Sequence, residues 1–103
     1  MNEIEITNEN FDEEVMKSDK PVLLDFFATW CGPCSMLSPV ISEIAEEYKD
    51  KIKVGKINVD EQPALASAYG VMGVPTVIVI KNGNITANST GFKPKEEIVK
   101  LFS

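Results

Sequence analysis

The chain has no histidine and no arginine, only two cysteines and one tryptophan, and no long hydrophobic run. Each shortage removes a class of protein. With no histidine and no third cysteine, a zinc site would need carboxylates or a second chain to complete it, so the motif C-x-x-C does not read as half a zinc site here. Two cysteines cannot form the disulfide framework of a small secreted domain, which needs several bridges. The longest apolar runs, 22–24 with 26–28 and 74–80, are far too short to span a bilayer. The opening residues, MNEIEITNEN, are acidic and carry neither the basic nor the apolar region of a secretory signal, which predicts a cytoplasmic protein. All cations are lysine, and the net charge is −6. That balance argues against nucleic acid and anionic membrane as partners, since both reward clustered Lys and Arg.

What is present suits one globular domain spanning residues 1–103. The chain is 44% hydrophobic and 25% charged, and it is long enough to bury a core without staples. No repeat, low-complexity tract or linker divides it.

Periodicity gives the elements. Ile4 and Ile6 alternate with Glu3 and Glu5, as in a short edge strand. Asn10 and Glu13 have the spacing of a capping box, with Phe11 and Val15 one turn apart behind it. Residues 22–28 read as a strand buried on both faces. Leu37, Val40, Ile41, Ile44, Ala45 and Tyr48 mark one face of a helix, in which Pro39 marks a first turn or a kink. Residues 52–59 read as a second buried strand. Asp60 is positioned to cap a helix with Pro63 in its first turn, ending at Tyr69-Gly70. Residues 76–80 and 85–89 flank Asn82-Gly83, a strong hairpin signal. Pro94 opens a last helix whose inner face is Ile98, Leu101 and Phe102. The order βαβαβαββα predicts an α/β fold: a mixed central sheet of about five strands flanked by four helices.

Both cysteines and the tryptophan fall in Trp30-Cys31-Gly32-Pro33-Cys34. The pair follows a buried strand and opens a helix, so it lies at the sheet's C-terminal edge, where α/β proteins place their sites. On a first helical turn, residues i and i+3 share a face within disulfide reach. A helix N-terminus presents free N–H groups that favour an anionic sulfur at Cys31. A purely structural disulfide closing so small a loop would stabilise little. In a reducing compartment, such a pair reads as catalytic or redox-sensing.

The chain resembles the thioredoxin family. The segment from Asp25 to Cys34 resembles that family's active-site strand and loop, and 56–60 resembles its third strand. Residues 69–76 resemble its cis-proline segment and 81–83 its hairpin, while Gly91 matches the glycine beside the site. The matches run in order over essentially the whole chain. Two positions depart: Phe27 stands where the family commonly has Trp, and Ser35 where it commonly has Lys or Arg.

The resemblance implies a thioredoxin fold and a protein-disulfide reductase working by dithiol–disulfide exchange. Cys31 would attack and Cys34 would resolve. Asp25 would lie beneath the cysteines and take the Cys34 proton; the residues alone allow it merely to reach a polar strand end. Lys56 would pair with Asp25, although its stem could equally carry it out to solvent. X-Pro statistics predict a trans bond before Pro75, whereas the resemblance implies cis. Trp30, Gly32, Pro33, Gly73, Val74, Pro75 and Gly91 would form a groove for an extended substrate segment. The implied partners are proteins with disulfides and a thioredoxin reductase as electron donor; the chain would be a monomer with no bound cofactor. An oxidase on the same fold is a rival, though such relatives usually carry His between the cysteines. A binding module that docks partners without turnover is another.

Overall fold

A computed structural model describes residues 2–103. The apolar run in the first third of the chain forms the central strand β2 (Val22–Phe27). β3 (Lys53–Asn58) lies parallel on one side of it, and β4 (Thr76–Lys81) antiparallel on the other. β1 (Glu3–Glu5) adds parallel to β3, and β5 (Asn84–Thr90) antiparallel to β4, giving the order β1-β3-β2-β4-β5. The helices are α1 (Asp12–Met16), α2 (Gly32–Glu47), α3 (Pro63–Ala68) and α4 (Lys95–Phe102). The expected mixed sheet and element order are therefore present. Among the described residues, no helix is long and apolar enough to cross a membrane.

Strand alternation divides the core between the two faces of the sheet. Val22, Leu24 and Phe26 pack with Val15, Ile57, Leu65 and Ile78 beneath α1 and α3. Leu23 packs with Leu37, Ile41, Ile44, Val54, Val77 and Ile98 beneath α2 and α4. By parity, Asp25 belongs to the face that α2 covers. This is why a carboxylate on the central strand ends up under the helix that begins at the cysteines. At Gly55, a Cβ would lie 2.6 Å from Ile6 Cγ1, so the glycine makes room for the chain leaving β1. The hairpin turns through Asn82 and Gly83, with φ of 53° and 81°, the left-handed pair that a two-residue turn requires.

Two local expectations are corrected, and of the two alternatives for Pro39 one is excluded. Asn10 does not cap α1: its Oδ1 accepts from the Thr7 N–H (2.7 Å) and its Nδ2 donates to the Glu5 carbonyl (2.8 Å). The side chain ties β1 to α1 instead, and α1 is one wide turn closed by Lys17 N–H donating to the Asp12 carbonyl (3.0 Å). Asp60 does not cap α3 either. Gln62 holds that position without a side-chain bond, and the Asp60 carboxylate is engaged elsewhere, by Trp30. Finally, Pro39 sits in the interior of α2, not in its first turn, and leaves the Ser35 carbonyl without its usual helical donor.

Candidate active site

The loop after β2 delivers Cys31 to the N-cap position of α2, with an extended backbone (φ −95°, ψ 117°). The Cys34 N–H, free at a helix start, donates to Cys31 Sγ at 3.2 Å. Cys31 Sγ–H in turn donates to the Val74 carbonyl at 3.7 Å. Both residues are free thiols and both are largely buried, against Ala28, Phe27, Val59 and Val74. They are not equivalent. Burial pushes the Cys34 thiol up to about 11, and the Cys31 sulfur and the Asp25 charge beside it push the same way.

Asp25 is 1% exposed. Its register partners are Lys56 on β3 and Val77 on β4. Burial raises its carboxyl from the ordinary 3.8 to about 6, against the pull of the Lys56 ammonium, whose Nζ stands 3.9 Å from Oδ2. Oδ1 is buried with no hydrogen-bond partner. A carboxyl held there gives and takes a proton near neutral pH. The pairing of Lys56 with Asp25 that the resemblance implies is present as a loose ion pair. Lys56 is only partly exposed, it donates to Ser38 Oγ at 3.2 Å, and it lies 4.7 Å above the Phe27 ring.

The Val74–Pro75 bond is cis, against X-Pro statistics and in agreement with the resemblance. Gly91, at φ 92°, donates its N–H to the Pro75 carbonyl at 2.8 Å, and Thr76 Oγ1 donates to the Gly73 carbonyl at 2.6 Å. These bonds fix the segment that faces Cys31. Of the expected groove residues, Trp30, Gly73 and Val74 line one concavity of about 160 Å³, with Val59, Val71 and Met72. Gly32 and Pro33 are exposed on the first turn of α2, outside that concavity, and Gly91 supports Pro75 from behind. Trp30 is 72% exposed, with its indole N–H donating to Asp60 Oδ2 at 2.8 Å.

Three contributors escaped the sequence reading. Met72, 99% exposed, forms part of the groove wall; nothing in its local pattern distinguishes it from an ordinary loop methionine. Asp60 tethers Trp30 across thirty residues of sequence. Ser38 engages Lys56, and its place one turn after Cys34 on the same helix face is the one signal that could have found it. Among the described residues, no group of three or more His, Cys, Asp or Glu side chains could hold a metal ion.

The thioredoxin family model matches residues 2–103. The chain belongs to the thioredoxin family. It is 47% identical over 96 residues to a thioredoxin of Chlorobaculum thiosulfatiphilum, covering 93% of this chain and 89% of the relative. It is 45% identical over 95 residues to a thioredoxin of Rickettsia bellii, covering 92% and 90%. A thioredoxin of Pseudomonas aeruginosa is 42% identical over 95 residues, covering 92% and 88%. Thioredoxins are thiol-disulfide oxidoreductases, and in this chain Cys31 and Cys34 form the dithiol. The five-stranded mixed sheet with four helices is the thioredoxin fold.

Proposed function

We propose that this protein is a cytoplasmic, monomeric, single-domain protein-disulfide reductase that carries electrons to protein disulfides in cell redox homeostasis. Cys31 thiolate attacks one sulfur of a substrate disulfide, forming a mixed disulfide and releasing the other sulfur as thiolate, which takes up a proton. Asp25 accepts the Cys34 proton. Cys34 thiolate then attacks Cys31 Sγ, the substrate's second thiolate leaves, and the Cys31–Cys34 disulfide remains. A thioredoxin reductase returns two electrons to that disulfide. No bound cofactor takes part.

The observation that carries this assignment is the asymmetry of the pair. The two cysteines are about equally buried, but Cys31 sits at the N-cap and receives an N–H, whereas the Cys34 thiol is pushed up to about 11 by burial, with the Cys31 sulfur and the Asp25 charge pushing the same way. An attacking thiol must meet the substrate; a resolving thiol must stay protonated until it is needed. Trp30, Gly73 and Val74 form the surface on which an extended segment docks, with Gly32 and Pro33 at its edge and the buried Pro75, bonded to Gly91, behind it. Lys56 moderates the acidity of Asp25.

Brief alkylation of the reduced protein at pH 7 with limiting iodoacetamide tests the assignment. At a pKa of about 11, roughly one Cys34 thiol in 10⁴ is ionised at that pH, so modification should fall on Cys31 by at least about tenfold when fragment masses locate it. Equal labelling of the two cysteines would reverse the assignment.

A further inference from the structure

The Lys56 ammonium is held in an unusual way. Its Nζ lies within hydrogen-bond distance of one neutral oxygen, Ser38 Oγ at 3.2 Å, and outside that distance of the buried carboxylate it faces, Asp25 Oδ2 at 3.9 Å. The Glu3 carboxylate on β1 also bears on the ammonium through its charge. The ion pair with Asp25 is loose, although closer approach of Nζ to Oδ2 would strengthen it beside a carboxyl whose other oxygen, Oδ1, already lacks a partner. Something keeps it open. Ser38 projects from α2 one turn after Cys34, into the cavity of about 220 Å³ that Cys34, Ser35, Phe27 and Lys56 also line.

We propose that Ser38 is a positioning residue, whose hydroxyl holds the Lys56 ammonium back from hydrogen-bond distance of Asp25. The inference deepens the reading of Asp25 as the base for Cys34 and rests on it for its consequence, but not for its geometry. The charged and titratable groups near Asp25 are Lys56 on β3 and Cys34 on α2; on β4 its partner Val77 is apolar, and Glu3 on β1 acts on Lys56. Burial and Lys56 therefore dominate Asp25, and their balance depends on where Nζ stands. At full contact the ammonium would favour the carboxylate more strongly, by about tenfold in proton affinity for an effective dielectric constant near 20. Asp25 would then be a weaker base at neutral pH. Ser38 thus keeps the carboxyl poised for the proton it must accept.

The test is the titration of Asp25 in the reduced full chain, followed by the NMR shift of its ¹³C-labelled carboxyl. Ser38→Ala removes the neutral acceptor, and Ala is at home in a helix. The Asp25 midpoint should fall by about one pH unit, while Ser38→Thr, which keeps the hydroxyl, should leave it near the wild-type value. A Ser38→Ala midpoint that is unchanged or higher would overturn the proposal. The pH profile of Cys34 attack on Cys31, read by stopped flow in the same variant, separates the two ideas. A lowered Asp25 midpoint with an unmoved profile leaves Ser38 as the positioning residue and removes Asp25 as the base.

Discussion

Cys34→Ser is expected to turn a catalyst into a trap. The variant keeps the Cys31 sulfur, its N-cap position and the backbone N–H that residue 34 donates to it, because that bond comes from the main chain. The first exchange therefore proceeds. The second cannot, since a serine hydroxyl does not displace a thiolate from a disulfide. Incubated with a disulfide protein, the variant should accumulate a covalent adduct of the summed mass, cleared by dithiothreitol. Cys31→Ser removes the attacking sulfur and should form no adduct. Steady-state reduction should fall by at least about three orders of magnitude in either variant, because members of one catalytic unit fail together. A docking module predicts something different: unchanged affinity in all three proteins and no adduct. Adduct formation by Cys31→Ser instead would exchange the roles of the two thiols.

Asp25→Asn should stabilise the fold and slow the chemistry, and its signature is pH dependence. The folded-state carboxyl is raised from 3.8 to about 6. The folded protein therefore holds a proton that the unfolded chain has lost between those values, and stability falls as pH rises through that window. Below about pH 4 the burial of Asp25 costs little. Above about pH 6 the full cost applies, about 3 kcal/mol for a rise of this size. Asparagine keeps the shape and never ionises. Urea unfolding should thus show the variant's advantage over the wild type growing by about 2–3 kcal/mol from pH 4 to pH 8, while attack of Cys34 on Cys31 slows by about tenfold to a hundredfold at pH 7. A stability difference identical at the two pH values would mean that Asp25 is not the buried, raised carboxyl described here.

Such a trade is informative about sequence reading. The elements were legible because their signals are repeated: β2 announces itself with a run of apolar residues, α2 with a full stripe, and the hairpin with Asn82-Gly83. The dithiol was legible because two cysteines three apart at a helix start have few other uses. Single polar side chains were harder. Asn10 has the spacing of a cap, yet the Thr7 N–H and Glu5 carbonyl hold its amide more effectively. Asp60 precedes a helix, yet it serves the Trp30 indole. For Asn10 a nearby loop outcompeted the cap from the other side of the residue, and for Asp60 the winning partner lies thirty residues away, outside any local window. The cis bond before Pro75 could not be obtained from propensity, which favours trans; it followed only from resemblance. Ser38 was missed because its partner, Lys56, is brought to it by strand register and helix packing, both long-range consequences of the fold.

The central claim is that Cys31 and Cys34 form a reversible two-electron couple poised for reduction. The most direct measurement is a redox titration against a glutathione or dithiothreitol buffer, followed by the fluorescence of Trp30, the one indole in the chain and the neighbour of Cys31. A single two-electron transition is expected, with a midpoint near about −270 mV, the value characteristic of thioredoxins as a class. A midpoint near about −120 mV, where strong oxidants lie, would contradict the reductase reading. The absence of any reversible transition in protein with both thiols intact would contradict exchange through this pair altogether.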